Sequence, residues 1–130
     1  MKRVVLESPY AGHSKAPWPF GPILRWWRRR RNMRYLEACI RDSMLRYGEA
    51  PFASHRMYPG ALDDDVPSER NLGIEGGFVW GDLASKRIIY TDEGISTGME
   101  WGIKRAKAIG QAVEFRIVPG WKKKKLPTLP

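Results

Sequence analysis

Two carboxylates stand on either side of a glycine-containing turn in the segment RIIYTDEGISTGMEWGIKRAKAIG, residues 87–110. Asp92 precedes the turn, Glu100 follows it, and Ser96 lies between them. Carboxylates in such a setting are suited to acid–base or nucleophilic chemistry, and a hydroxyl is suited to contacts with ribose or phosphate. This segment is therefore the first candidate for the chemistry of the chain.

The same segment predicts a strand, a turn and a helix. Residues 88–90 are β-branched or aromatic without alternation, which is typical of a parallel strand that is covered on both faces. Gly94 and Gly98 permit the turn, and Ser96 or Thr97 can cap the following helix. A helix that starts at the end of a parallel strand favours an anionic ligand, because its free amides and its dipole point at that ligand.

The rest of the chain repeats this alternation of strands and helices. Further strands are predicted at residues 4–6, 50–54 and 112–118, and further helices at residues 32–47 and 67–83. The order predicts an α/β fold, a Rossmann-like parallel sheet of four to five strands with helices on both faces and the first strand central.

Local signals set the expected ends and faces of these elements. Asn32 is the predicted cap of the first long helix, and Asp65 can cap the next one. That next helix is expected to bury Leu72, Val79, Trp80 and Leu83. In the last strand, Glu114 and Arg116 alternate with apolar residues, so this strand is predicted to lie at an edge with its polar face in water.

Residues 13–31 contain three prolines and one glycine and are predicted to form a long lid or excursion loop. The loop ends in a run of aromatic and basic residues, Trp26, Trp27, Arg28, Arg29, Arg30 and Arg31. Such a run can stack on and neutralise single-stranded nucleic acid, while a solvated lid or a contact between two copies of the chain is the alternative. The predicted domain spans residues 1–119, and residues 120–130 are expected to be a mobile basic tail.

Composition narrows the class of protein. The net charge is +9, but six arginines between residues 25 and 34 and four lysines at 122–125 account for ten of the 23 basic residues, which leaves 13 against 14 acidic ones. The single cysteine, Cys39, is expected in the core. Neither a membrane span nor a signal peptide is evident, so a cytoplasmic protein is expected. No cofactor or metal is predicted, since His55 has no partner at ligand spacing.

Ligands of open parallel sheets bind at the carboxyl ends of the strands. The residues predicted to contact a ligand share that position or the adjoining helix starts: Ser8, Pro9, Tyr10, His55, Asp65, Gly94, Ser96 and Gly98.

Four segments carry a resemblance to a known family: VVLESPYAG, the helix opening at Asn32, PFASH, and IIYTDEGISTGMEWG. They resemble the nucleoside 2-deoxyribosyltransferase-like family, with its nucleotide N-glycosidase branch and small members from phage genomes. The resemblance implies that Glu100, in the stretch GMEWG, attacks the anomeric carbon of the sugar. It likewise implies that Tyr10 positions the glutamate and the base, and that Asp92 is an acid near the ligand.

A second alignment register is also open. The family glutamate has an alanine four residues later, whereas Lys104 lies at that spacing from Glu100. Ala106 would place the nucleophile position at Gly102, where no carboxylate exists. The expected function is an N-glycosidic-bond hydrolase or transferase for a nucleoside, deoxynucleotide or nucleotide sugar. The alternatives are a non-catalytic nucleotide-binding protein and a nucleic-acid-associated protein, and a second copy of the chain is a further candidate partner.

Overall fold

The structure is a computed structural model that describes residues 1–10 and 16–123. Its strands are β1 (Arg3–Glu7), β2 (Ala50–Phe52), β3 (Lys86–Tyr90) and β4 (Ala112–Arg116). Its helices are α1 (Phe20–Tyr47), α2 (Pro67–Gly81) and α3 (Thr97–Ala108). The strands form one parallel sheet in the order β2-β1-β3-β4. The predicted Rossmann-like α/β fold is therefore confirmed, with four strands and with β1 inside the sheet.

Two predicted segments lie partly outside the described residues. Residues 11–15 include the start of the predicted loop, and residues 124–130 make up most of the predicted tail.

The two faces of the sheet carry different side chains. Val4, Leu6, Ile88 and Tyr90 point to one face, where they form the main apolar core with the middle of α1 around Leu36. Alternate residues of the same strands point to the other face, which α2 and α3 cover. Helices on both faces leave the inner strands almost fully buried, as their continuous apolar runs predicted.

Helix α1 corrects the predicted loop over residues 13–31. The helix begins at Phe20, so its first twelve residues include the aromatic and basic run. Pro22 lies in the first helical turn, where a missing N–H costs nothing, and arginine is a good helix former. Asn32 is consequently not a cap: it is buried in mid-helix, and its side chain donates to the Tyr10 carbonyl at 3.2 Å. Gly48 ends the helix in a left-handed conformation, φ 63°, as expected.

The predicted inner face of α2 is wrong. Leu72, Val79, Trp80 and Leu83 are all more than half exposed. The helix instead packs through its glycines: a Cβ at Gly81 would lie 3.1 Å from a methyl of Val5 on the sheet. The glycines therefore allow the backbone of α2 to approach the sheet closely, and the large side chains of the helix are left on its outer side.

Strand β4 is an edge strand, as predicted, but its faces are inverted. Phe115 and Ile117 are exposed, whereas the Arg116 side chain is only 3% exposed. Its guanidinium donates to both carboxylate oxygens of Glu49, at 2.8 and 2.9 Å, and lies 3.5 Å from the Tyr47 ring centroid. Ser43 also donates to Glu49 at 2.8 Å, so the charge of Arg116 is neutralised inside the protein.

Replacing Glu49 by alanine should lower the free energy of unfolding by about 3 kcal/mol, since Arg116 would stay buried without its main counter-charge.

Protonation of Glu49 at low pH should also destabilise the fold. Arg116 lowers the pKa of Glu49 from 4.5 to about 2, so the free energy of unfolding should fall as the pH drops from about 4.5 to 2. Urea titrations across this pH range test both effects. Glu114→Ala is the control, because its partly exposed carboxylate also pairs with Arg116; an equal loss in both variants would contradict the assignment.

Candidate active site

A cavity of about 750 Å³ opens at the carboxyl-side edge of the sheet, on the face that α2 and α3 cover. Residues at the ends of β1 and β2 form one wall, and the first turn of α3 forms another. Five predicted ligand contacts line it together: Ser8, Tyr10, His55, Ser96 and Gly98. The topology thus brings residues that are distant in sequence to one edge, as expected for a parallel sheet.

An aromatic pair forms part of the cavity wall. The rings of Tyr10 and His55 stack, with centroids 5.6 Å apart and an interplanar angle of 29°. Ser8 Oγ lies 3.3 Å from His55 Nε2 and fixes the orientation of the imidazole. Burial lowers the pKa of His55 to about 4, so the ring is neutral at physiological pH and can serve as a flat stacking surface.

The charged side chains that line the cavity are mostly cationic. Four arginines line it, namely Arg25, Arg29, Arg70 and Arg87, against the two carboxylates Glu7 and Asp64. The guanidinium of Arg29 lies 5.9 Å from the Tyr10 ring centroid, and that of Arg70 lies 5.5 Å from the Trp101 ring centroid. Planar cations next to aromatic rings are suited to anionic ligands that carry an aromatic group.

Glu7, the last residue of β1, reaches the cavity from the sheet. It is 8% exposed, and Oε1 of its carboxylate accepts a hydrogen bond from Nη1 of Arg87 on β3. Burial raises the pKa of Glu7 from 4.5 to about 7, although the charge of Arg87 acts in the opposite direction. A carboxyl group with such a pKa in a cavity is typical of a functional site.

Arg87 is held from several sides but keeps one free donor group. Its Nε donates to Gln111 at 3.2 Å, and Gln111 in turn donates to the carbonyls of Gly81 and Ala84. The Arg87 side chain is 2% exposed, and Nη2 has no hydrogen-bond partner among the described residues. An unpaired buried donor of this kind is costly unless a water or ligand accepts from it.

Gly102 of α3 leaves the space that the Glu7 carboxylate occupies. A Cβ at this position would lie 2.5 Å from Glu7 Oε1 and 2.8 Å from its Cδ, which is closer than real Cβ atoms come. It would also lie 3.2 Å from Arg87 Nη1. Glycine at residue 102 is therefore required by the ion pair between β1 and β3.

The two acids predicted to be catalytic do not line the cavity. Glu100 is exposed in the first turn of α3, and the residue that caps this helix is Ser96, whose Oγ accepts from the Met99 amide at 3.3 Å. Asp92 Oδ2 accepts from the Tyr35 hydroxyl at 2.6 Å and from the Val118 amide at 3.0 Å. Asp92 thus joins α1 to the segment that follows β4.

Three other predicted contacts are also absent from the lining. Pro9 and Gly94 lie in the segments that follow β1 and β3. Asp65 forms an ion pair with Arg25 at 2.5 Å, and the residue before α2 is Val66, so the predicted Asp65 cap is wrong.

Sequence patterns missed Glu7 and Arg87. Both stand in or next to continuous apolar strands, where a charged residue must find a partner, and this is the signal that could have found them. The described residues contain no group of three or more histidine, cysteine or acidic side chains placed to hold a metal ion. None of the helices in the described parts of the chain combines the length and the apolarity that a membrane crossing requires.

A comparison with protein families matches residues 2–116 to a domain of unknown function, DUF7768. The chain belongs to this family. The DUF7768 match spans all four strands and the cavity. Searches of curated proteins and of solved structures found no significant match.

The burial of Glu7 has a measurable effect on stability. Between pH 4.5 and 7 the folded chain retains a proton that the unfolded chain has lost, so the free energy of unfolding falls as pH rises. His55, with its lowered pKa, acts in the opposite sense in part of this range. Glu7→Gln should remove the effect of Glu7 alone. Between pH 4.5 and 7 the free energy of unfolding of the variant should therefore rise by about 3 kcal/mol relative to that of the wild type.

Urea denaturation at closely spaced pH values measures this difference. Glu100→Gln provides the control, because it neutralises an exposed carboxylate two residues from Gly102. A Glu7→Gln difference that does not change with pH would contradict the burial of an ionisable carboxyl group at this position.

Proposed function

We propose that the protein binds a nucleoside or nucleotide in this cavity and cleaves or transfers its N-glycosidic bond. The observation that carries the proposal is the combination, in one cavity, of the stacked Tyr10–His55 pair with arginines and a buried carboxylate. The rings offer a surface for a base, the arginines offer donors for phosphate, and a carboxylate can act on the sugar between them.

The size of the cavity supports a ligand of this class. Small-molecule sites commonly enclose about 300–1,000 Å³, and the volume of about 750 Å³ lies within that range. The lining carries two more positive than negative side chains, four arginines against two carboxylates, which favours a phosphorylated ligand over a free nucleoside. Ser96, Thr97 and Gly98 at the start of α3 also line the cavity, and a helix N-terminus adds to this preference.

The reaction class comes from the resemblance to nucleoside 2-deoxyribosyltransferase-like proteins. Of the segments that carry the resemblance, Ser8 and Tyr10 of VVLESPYAG, Ser54 and His55 of PFASH, and the ISTGM part of the α3 segment line the cavity. A non-catalytic binding protein of the same fold is the alternative, and release of free base distinguishes the two. A binding protein leaves the N-glycosidic bond intact, whereas an enzyme that hydrolyses it converts a nucleotide to free base and sugar phosphate.

Tyr10→Ala should weaken nucleotide binding by about 10- to 100-fold, because stacking on an aromatic ring contributes about 1–3 kcal/mol per base. Tyr10→Phe keeps the ring and should retain most of the affinity. Calorimetry with a panel of deoxynucleoside monophosphates measures the binding, and chromatography of the same mixtures measures base release. Phe115→Ala, an exposed ring outside the cavity, is the control; equal losses in Tyr10→Ala and Phe115→Ala would contradict the proposed site.

A second candidate function is binding of single-stranded nucleic acid by the N-terminal half of α1. The specific observation is that Trp26 and Trp27 are 52% and 42% exposed, with the Arg30 guanidinium 5.2 Å from the Trp26 ring centroid. Exposed rings interleaved with arginines can stack on bases while they neutralise phosphates.

Replacing Arg28, Arg30 and Arg31 by glutamine should weaken any such binding and reduce its salt dependence, by roughly 2 in the log–log slope for three lost phosphate contacts. Arg25 and Arg29 are left unchanged because they line the cavity. Fluorescence anisotropy with a labelled oligonucleotide at several salt concentrations measures both quantities. A triple variant of Lys2, Lys104 and Lys107, all exposed, matches the charge change, and binding that is lost equally in the two triple variants would exclude α1 as the contact surface.

A further inference from the structure

We propose that Glu7 is the nucleophile of this cavity and that it reaches from β1 into the space that a side chain at residue 102 of α3 would otherwise fill. The inference rests on the proposed function, because it names the residue that attacks the sugar. It moves the catalytic carboxylate from the helix, where the resemblance implied it, to the end of an inner strand.

The positions of the carboxylates favour Glu7. Among the described residues that line the cavity, the carboxylates are Glu7 and Asp64. Asp64 is half-buried in the segment before α2, whereas Glu7 is almost completely buried at the carboxyl end of β1. Because the exposed Glu100 and the hydrogen-bonded Asp92 lie outside the lining, Glu7 is the carboxylate placed deepest at the site.

The space at Gly102 of α3 also favours Glu7. The distance of 2.5 Å from a Cβ at this residue to Glu7 Oε1 means that a side chain here and the Glu7 carboxylate exclude each other. In the second alignment register, residue 102 is the nucleophile position of the resembling family. The carboxylate of Glu7 therefore stands next to the place where that register requires one, although it comes from a different element.

Arg87 supports the Glu7 carboxylate. Its Nη1 holds one oxygen of the carboxylate, and its own position is fixed by Gln111, so Glu7 is oriented by a buried cation. Nη2 of Arg87 lies beside the pair and has no partner among the described residues. Arg87 therefore keeps the Glu7 carboxylate in one orientation beside the cavity.

The chemistry follows a double displacement. A Glu7 oxygen forms a bond to the anomeric carbon while the carbon–nitrogen bond breaks, and the base leaves with that electron pair and takes up a proton. Water then attacks the anomeric carbon, the ester bond to Glu7 breaks, and the electron pair returns to the carboxylate. The proton released by the water balances the one taken by the base. An acceptor base in place of water gives transfer instead of hydrolysis.

The test measures base release from deoxynucleosides and their monophosphates by wild type, Glu7→Gln and Glu100→Gln. Glu7→Gln keeps the size of the side chain and removes its nucleophilic charge, so the rate should fall at least about 1,000-fold. Glu100→Gln should keep the rate of the wild type within about threefold. Calorimetry with deoxyribose 5-phosphate, the sugar product of the monophosphates, should show that Glu7→Gln still binds this product. This result would distinguish lost chemistry from lost folding.

The covalent intermediate can be located by mass spectrometry. A 2′-fluoro-arabino nucleoside slows the breakdown of the sugar ester, so the fluorosugar should remain on the protein. Tryptic cleavage gives the peptide VVLESPYAGHSK, in which Glu7 is the sole side-chain carboxylate, and IIYTDEGISTGMEWGIK, which contains Glu100. The added mass should appear on the first peptide.

The possible outcomes distinguish a failure of the role of Glu7 from a failure of the proposed function. Base release that survives Glu7→Gln, or a fluorosugar on the peptide of Glu100, would refute the role of Glu7 and leave the proposed function standing. Absence of base release by the wild type from every substrate would refute the proposed function and this inference together. Release that depends on Glu7 and not on Glu100, with the label on VVLESPYAGHSK, supports both.

Discussion

A buried ion pair determines how helices α2 and α3 pack against the sheet at the candidate site. Glu7 and Arg87 come from neighbouring inner strands, and both charges are almost removed from water. Since an unpaired charge in this environment would be strongly destabilising, the surrounding elements have to preserve the pair. Both covering helices therefore present glycine to it: a Cβ at Gly81 or at Gly102 would lie 3.2 Å from the Arg87 guanidinium nitrogens. The positions of α2 and α3, and hence the shape of the cavity, depend on this one interaction.

The fold could be predicted because its signals are local. The continuous apolar run of β3, the Ser96 cap of α3 and the left-handed Gly48 each specify structure within a few residues. The errors arise where a distant partner overrides a local pattern. Arg116 turns inward because Glu49, 67 residues earlier in the chain, neutralises it. Residues 20–31 form a helix although prolines precede and enter the segment, since a helix tolerates proline in its first turn.

Part of the candidate site could also be predicted from the sequence. The topology rule placed Ser8, Tyr10, His55 and the start of α3 at one edge, and they line one cavity. The apolar strand marks Glu7 as a charge that needs a partner, but the place of its carboxylate at the cavity depends on the space at Gly102, which only the packed helix reveals. Asp92 was misleading for the same reason: its proximity to the turn suggested a ligand contact, whereas its carboxylate is taken up by Tyr35 and Val118.

The length of α1 makes the backbone that carries the arginines beside the cavity rigid. The helix has 28 residues, about 42 Å of continuous rod, with neither glycine nor proline after its first turn. Leu36 and Cys39 anchor the rod in the core, and Arg25 and Arg29 project from its other end beside the cavity. The backbone that carries these cations is therefore preorganised rather than part of a flexible lid. Ligand binding needs no ordering of this backbone, and moving the backbone at Arg29 would require the whole rod to tilt against the core.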